Sequence, residues 1–414
     1  LGEANTLRSL GDLDRLLGNN DDARAAYDQA LPLFRETQSR LGEAGTLVGL
    51  GDLERRLGRN DEARAAYDKA LPLYRTEKSR LGEANTLRGL GELERQLGRN
   101  DEARTAYDKS LQLYRAEKDQ LGEAGTWLGL SELERQVGRN NEARIAYEKA
   151  LPLYRAAQDR LGEANTLLGL GELERKLDRN DMARAAFDEA LPLFRAAQGR
   201  LGEANTLRGL GELERYLGRS EEARVAYDKA LPLFRATQDR LGEANALLGL
   251  GDLERNLGRD EAARAAYESA LQLFSAALSQ LGEANTLRGL GELERKQGRH
   301  EEARASYETA LPLYRALQDR LGEAGTLLGL GDLERKLGRH EEARAAYDTA
   351  LPLFRAVLDP VGEAGTLSGL GELERKLGRN DEARAAYDKA LPLYRKVQDR
   401  LGEANTLLGL GELE

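Results

Sequence analysis

Few residues of this chain have the types and spacing that chemistry requires. The two histidines, His300 and His340, occupy equivalent positions in turn-like stretches and have no carboxylate at metal-ligand spacing. We interpret them as surface turn residues. The stretch "GLGEL" is rich in glycine but follows no predicted strand, so it does not form a phosphate-binding loop. Carboxylates recur beside arginines as solvated faces and not as an isolated pair. The sequence therefore predicts no enzyme activity, no metal and no cofactor.

Composition narrows the classes of partner. The chain has 414 residues and a formal net charge of −10, which argues against nucleic acid or an anionic membrane as the main partner. It has no cysteine, which excludes disulfides and fits a reducing compartment. Its apolar runs are too short to span a bilayer. We therefore expect a cytoplasmic protein, and the leucine at its start suggests a piece of a longer chain.

An internal repeat decides the architecture. The stretch 81–120, "LGEANTLRGLGELERQLGRNDEARTAYDKSLQLYRAEKDQ", recurs without insertion to give ten full repeats, and the fragment 401–414 follows. No linker or low-complexity tract interrupts it. The sequence predicts a single array over residues 1–414.

Each repeat carries two helical patterns, helix A and helix B, and no strand pattern. Gly98 suits the position after the end of helix A, Asn100 suits the N-cap of helix B, and Asp119 suits the N-cap of the next helix A. Every tyrosine and phenylalanine except Tyr216 falls on one of two helix B positions, seven residues apart. We expect these aromatic residues to pack in the core. The fold class is all-α, an α-solenoid of helix-turn-helix repeats.

A proline recurs inside helix B, as at Pro72. Proline in a helix interior costs roughly 3 kcal/mol because it removes a hydrogen bond and clashes with the preceding turn. Pro72 shares a face with Asp61, Asp68 and Arg75, opposite the aromatic positions. We therefore expect it to face solvent and to bend the helix around the core.

The pattern resembles the tetratricopeptide repeat (TPR) family over all 414 residues. The family's large residue, Leu-Gly pair and Ala-aromatic spacing correspond to Leu87, Leu90-Gly91, Ala103 and Tyr107, and the large residue is Trp127 in the fourth repeat. Two departures are a 40-residue period and an acid where the family has a helix A tyrosine. This form is similar to the sensor arrays of signalling NTPases and to spindle-orienting G-protein modulators. The resemblance implies a right-handed superhelix, a concave face lined by helix A, and protein partners.

The resemblance also implies which residues face the groove. For the fifth repeat and its neighbours, the predicted partner-binding residues are Asn165, Leu168, Gly169, Glu172, Arg175, Lys176, Arg135, Arg215 and Tyr216, and the equivalent positions of the other repeats are assigned to the groove as well. Glycine within a helix costs about 1 kcal/mol relative to alanine, so a ligand or an adjacent helix should approach Gly169 closely. The acid and arginine at the Glu172 and Arg175 positions form either a peptide-binding ladder or a self-neutralising face. The family's carboxylate-clamping asparagine is absent from the Glu172 position, which favours basic or mixed-charge partners.

Two functions remain open from the sequence, with a third less favoured. The first is a scaffold that binds a protein or peptide segment in the concave groove. The second is a regulatory sensor arm of a larger signalling NTPase or transcription regulator. The third is a mainly structural solenoid.

Two further predictions concern packing. The acid that replaces the family tyrosine should pair with an arginine within or between repeats, as Glu54 with Arg64, because a charge near a helix seam needs a partner. The terminal helices carry apolar residues without a specialised cap. We therefore expect weak head-to-tail contacts between molecules.

Overall fold

The computed structural model describes all 414 residues as a succession of 21 helices. The helices are α1 (Gly2–Leu17), α2 (Asn20–Glu36), α3 (Arg40–Arg56), α4 (Asn60–Thr76), α5 (Arg80–Gln96), α6 (Asn100–Glu117), α7 (Gln120–Gln136), α8 (Asn140–Ala156), α9 (Arg160–Lys176), α10 (Asn180–Ala196), α11 (Arg200–Tyr216), α12 (Ser220–Thr237), α13 (Arg240–Asn256), α14 (Asp260–Ala276), α15 (Gln280–Lys296), α16 (His300–Ala316), α17 (Arg320–Lys336), α18 (His340–Ala356), α19 (Pro360–Lys376), α20 (Asn380–Val397) and α21 (Arg400–Gly411). Odd-numbered helices are helix A of a repeat, and even-numbered helices are helix B. The predicted all-α fold of paired helices is confirmed.

The chain divides into two units, Leu1–Gly209 and Leu210–Glu414. In the first unit each helix A packs on its own helix B and on the preceding helix B, and successive A helices also touch, as α3 touches α5. Successive B helices of this unit do not come as close. The second unit repeats this arrangement from α12 to α21. Within each unit, therefore, the repeats approach one another most closely on the helix A side.

The helix ends agree with the prediction at Gly98 and Asp119 and differ from it at Asn100. Gly98 follows the end of α5 with φ +72°, a left-handed conformation that glycine adopts without strain, and Asp119 accepts a hydrogen bond from the Gly122 N–H at the start of α7, as predicted. The prediction that Asn100 caps α6 was wrong. The cap is Arg99, whose carbonyl accepts the Ala103 N–H at 3.0 Å without help from a side chain. Asn100 is already helical, so its side chain cannot cap.

The aromatic residues form the core, as predicted. Tyr67, Tyr107 and Tyr147 are fully buried in helix B. Tyr107 lies between glycines of two A helices: a Cβ added to Gly91 would lie 2.7 Å from the ring, and one added to Gly129 would lie 2.9 Å from it. Real Cβ atoms do not approach so closely. Each ring therefore fills the seam between its own helix A and the next.

The proline faces solvent, also as predicted. Pro72 is exposed, and α4 continues through it to Thr76. Asp68, whose carbonyl loses its helical donor, is exposed too, so water can replace that hydrogen bond. Two repeats carry Gln112 and Gln272 at this position, inside helices of similar length. The exposed position of the proline is confirmed, and its bending of helix B stays a prediction. No helix of the chain combines the length and apolar character that a membrane crossing demands.

Candidate partner-binding groove

Five of the residues that the sequence assigns to the groove line one cavity in the first unit. The cavity has a volume of about 440 Å³. Its lining comes from α7, α9 and α11 and consists of Leu128, Glu132, Arg135, Asn165, Leu168, Gly169, Glu172, Asn205 and Arg208. All of these residues lie on A helices. The sequence therefore identified the helix face on which the cavity forms.

The remaining predicted residues lie beside this cavity or in the other unit. Arg175 is half-buried and pairs with Glu172, while Lys176 is exposed at the end of α9. Arg215 and Tyr216 belong to the second unit, where Tyr216 is 65% exposed. They are not among the residues that line the cavity.

Gly169 makes room for an aromatic ring of the adjacent helix. A Cβ added there would lie 2.5 Å from the hydroxyl oxygen and 2.7 Å from Cε1 of Tyr147 in α8. The adjacent helix, one of the two approaching groups that the sequence allowed, therefore explains this glycine.

The charged ladder of the groove is largely neutralised within the protein. The Glu172 carboxylate lies 2.9 Å from Arg175 and 3.2 Å from Arg208. Arg135 and Glu132 lie 2.6 Å apart in the same i, i+3 relation. The Glu172 charge therefore already has two arginine partners, and the expectation of basic or mixed-charge partners stays a prediction.

Tyrosine hydroxyls of helix B donate hydrogen bonds to acidic residues that are equivalent to Glu172. The Tyr147 hydroxyl donates to Glu132, and that of Tyr67 donates to Asp52 at 2.6 Å. The pKa values of the Tyr147 and Tyr67 hydroxyls are raised well above the usual tyrosine range. Burial is the main cause, and the nearby carboxylate is the second. The groove surface is thus tied to the core by buried hydrogen bonds.

A second cavity, of about 620 Å³, opens nearer the start of the first unit. Its polar lining includes Arg15, Arg55, Arg56, Asn85 and Arg88. These residues occupy, in earlier repeats, the positions of Asn165, Leu168, Arg175 and Lys176, so they lie on the helix face that the sequence assigns to the groove. Arg56 is the one arginine at a position that elsewhere holds Leu, Gln, Lys, Tyr or Asn.

The seam acid pairs with arginine between repeats, but with a different arginine from the one predicted. Glu54 is 2% exposed and contacts Arg24 of the preceding helix B, with Arg59 at 3.7 Å. Arg64, its predicted partner, contacts Glu94 of the next repeat. The pairing between repeats is confirmed, and the specific pair was wrong because the acid faces the hairpin behind it.

The histidines do not form a site with other ligands. His300 and His340 occupy the first turns of α16 and α18, and each has a buried Nδ1 without a hydrogen-bond partner. No group of three or more His, Asp or Glu side chains in the structure could hold a metal ion.

Family models described as tetratricopeptide repeat match most of the chain. One matches residues 2–76, 42–116, 82–156, 162–236, 202–276, 242–316 and 362–414, and a second matches residues 288–357. The chain belongs to the tetratricopeptide repeat family. No curated protein matches it in sequence.

Solved TPR structures share the fold at low sequence identity. A STAND signal-transduction ATPase with a TPR sensor, from Pyrococcus horikoshii, is 16% identical, with a TM-score of 0.60 over 82% of this chain and 54% of that one. A Rap protein complexed with competence and sporulation factor is 15% identical, with a TM-score of 0.57 over 88% of this chain and 99% of that one. Aspartyl phosphate phosphatase F from Bacillus subtilis is 13% identical, with a TM-score of 0.57 over 84% and 93%. This chain spans about half of the STAND protein.

TPR proteins generally mediate protein–protein interaction and are generally not catalysts. Membership therefore gives this chain the general role of binding other proteins or peptides.

Proposed function

We propose that this TPR protein is a non-catalytic scaffold that binds an extended partner segment along the helix A face. The observation that carries the proposal is the cavity lined by Asn165, Leu168 and Glu172 on the face predicted for binding. Other repeats carry Arg, Val or Ser at the position of Leu168, and Gly at the position of Asn165. Such variation gives successive stretches of the groove different preferences, as recognition of one particular partner requires.

The test begins with a random peptide library displayed on phage and selected on the full chain. Selected peptides should lose affinity for a variant that reverses Arg135, Arg175 and Arg215 to Glu, and their salt dependence should change. The matched control reverses Arg160, Arg240 and Arg320, which are exposed and form no ion pair. Circular dichroism checks that both variants remain helical. Equal binding by the wild type and the groove variant would place the site elsewhere.

The second candidate function is a sensor arm, and the observation that favours it is the shared fold with a TPR sensor over 82% of this chain. A sensor must convert binding into a change of shape, whereas a scaffold need not. Small-angle scattering with and without a selected peptide separates the two: a changed radius of gyration supports the sensor, and an unchanged one supports the scaffold.

A further inference from the structure

Four arginines around the 620 Å³ cavity of the first unit have no ionic partner within the protein. They are Arg15, Arg55, Arg56 and Arg88, and none has a carboxylate oxygen within 4.0 Å of its side-chain nitrogens. Elsewhere on this face five arginines pair with the glutamate three residues earlier, as Arg135 does with Glu132, although Arg288 also has no ion pair. Four guanidinium groups gathered at one opening are therefore unusual for this molecule.

The three carboxylates of the same cavity are already engaged. Asp12 accepts the Tyr27 hydroxyl at 2.7 Å, Asp52 accepts the Tyr67 hydroxyl at 2.6 Å, and Glu92 pairs with Arg95 at 2.9 Å. The lining thus carries four positive and three negative charges, and the negative ones are held by other partners.

Arg15 and Arg55, which form no ion pair, each follow an aspartate three residues earlier, whereas several other repeats have the longer glutamate there. Where glutamate stands three residues before the arginine, the two groups lie 2.6–2.9 Å apart in five repeats. Where aspartate stands there, the separation is 3.5 and 3.6 Å at Asp332 and Asp252, and it exceeds 4.0 Å at Asp12 and Asp52. Aspartate is one methylene shorter, so its carboxylate lies farther from the arginine in all four repeats, and in the first two it forms no ion pair. The first two repeats therefore leave Arg15 and Arg55 without an ion pair, although Arg15 Nε donates to the Tyr27 hydroxyl at 3.4 Å.

Other donors belong to the same lining residues. The Nε atoms of Arg55 and Arg88 are buried without a hydrogen-bond partner, and Arg56 contacts the Arg15 carbonyl. Tyr74 also lines the cavity. Buried donors without acceptors cost free energy that an incoming acceptor would recover.

We propose that this cavity binds the side-chain carboxylates of an acidic segment in a partner protein. Guanidinium groups bind carboxylates with two parallel hydrogen bonds, and charge-assisted bonds of this kind are roughly twice as strong as neutral ones. The proposal rests on the proposed function, since it names the chemistry that one part of the groove selects. It replaces, for this stretch, the sequence expectation of basic partners.

The test uses fluorescence anisotropy with short peptide pools, acetylated and amidated so that only side chains carry charge. One pool has glutamate at alternate positions, and the others have glutamine or lysine there. At low ionic strength the glutamate pool should bind the full chain about tenfold more tightly than the glutamine pool.

A charge-conserving variant gives the sharpest control. In D12E/D52E the longer carboxylates should capture Arg15 and Arg55, and affinity for the glutamate pool should fall about tenfold although net charge is unchanged. The same change in the second unit, D252E/D332E, should leave that affinity intact. R56Q, at an exposed position, should also weaken binding and does not threaten the fold.

The outcomes separate this proposal from the general one. Equal affinity for glutamate and glutamine pools, or unchanged binding by D12E/D52E, would overturn the acidic-segment proposal. If the glutamine or lysine pool binds and Leu168→Glu weakens it, groove binding stands and only the acidic preference fails. If no pool binds and phage selection also yields no groove binder, both proposals fail.

Discussion

At the scale of single residues, buried glutamates of helix A pair with arginines of the preceding helix B, and this pairing determines how much stability a substitution costs. Glu94 is 5% exposed in its side chain and contacts Arg64, whereas the Arg75–Glu83 pair lies at the surface. Removing one partner of a buried pair leaves an uncompensated charge, which can cost 3–5 kcal/mol. Because a third of Arg64 is exposed, solvent screens part of that cost.

We therefore expect Arg64→Ala to lower the free energy of unfolding by about 2 kcal/mol, and Arg75→Ala by less than about 1 kcal/mol. Urea midpoints followed by circular dichroism measure the difference. Equal losses for the two variants would mean that the seam pair contributes no more than a surface pair.

The buried tyrosines predict how the protein responds to alkali. Burial, then the nearby Glu372, raises the pKa of Tyr387 to about 12, and burial raises that of Tyr154 to about 12. An unfolded tyrosine has a pKa of about 10. A raised folded pKa contributes stability that is complete below about pH 10 and is lost as the pH rises towards about 12.

We expect phenolate absorbance to appear together with loss of helical signal in this alkaline range. The chain unfolded in guanidinium should instead titrate near pH 10. Tyrosine ionisation near pH 10 in a chain that keeps its helices would contradict the burial seen here.

At the scale of elements, the tyrosine ring packed against a glycine of helix A determines whether alanine is tolerated there. Gly169→Ala gains up to about 1 kcal/mol in helix propensity, but its Cβ would lie 2.5 Å from the Tyr147 hydroxyl, and overpacking costs about 1–3 kcal/mol. We expect net destabilisation. Gly365→Ala is the matched control in α19, because its nearest atom, Leu328 Cδ2, lies at an ordinary 3.5 Å. That substitution should stabilise. Thermal midpoints compare them, and the opposite order would show that Tyr147 yields easily.

At the scale of the whole molecule, each helix within a unit contacts only its near neighbours along the chain. Stability in such an array is approximately a sum of local and nearest-neighbour terms. Tyr147→Ala should therefore expose amides mainly in α7, α8 and α9, while α15 to α18 stay protected. Hydrogen exchange followed by mass spectrometry resolves this, with exposed Ile145→Ala as control. Uniform loss of protection along the chain would instead indicate one global cooperative transition.

The sequence by itself determined the repeat, the two helices in each repeat, the buried aromatic face and the outward proline. These features follow from local spacing, since a helix places residues three, four and seven apart on one side. The family resemblance also led to the helix A face on which the cavity of α7, α9 and α11 lies, and its role in binding stays a prediction. Local spacing did not fix the caps: Asn100 has a capping side chain but lies one residue inside α6.

Only the tertiary structure decided which charges meet. Because the period is 40, an arginine ten residues after Glu54 and one thirty residues before it occupy equivalent positions, and sequence pattern alone cannot separate Arg64 from Arg24. Packing of each helix A on the preceding helix B selects Arg24. The same holds for Arg55 and Arg255, which both follow an aspartate, because only Arg255 forms an ion pair with it. Distances of this kind arise between helices, and a periodic sequence does not encode them separately.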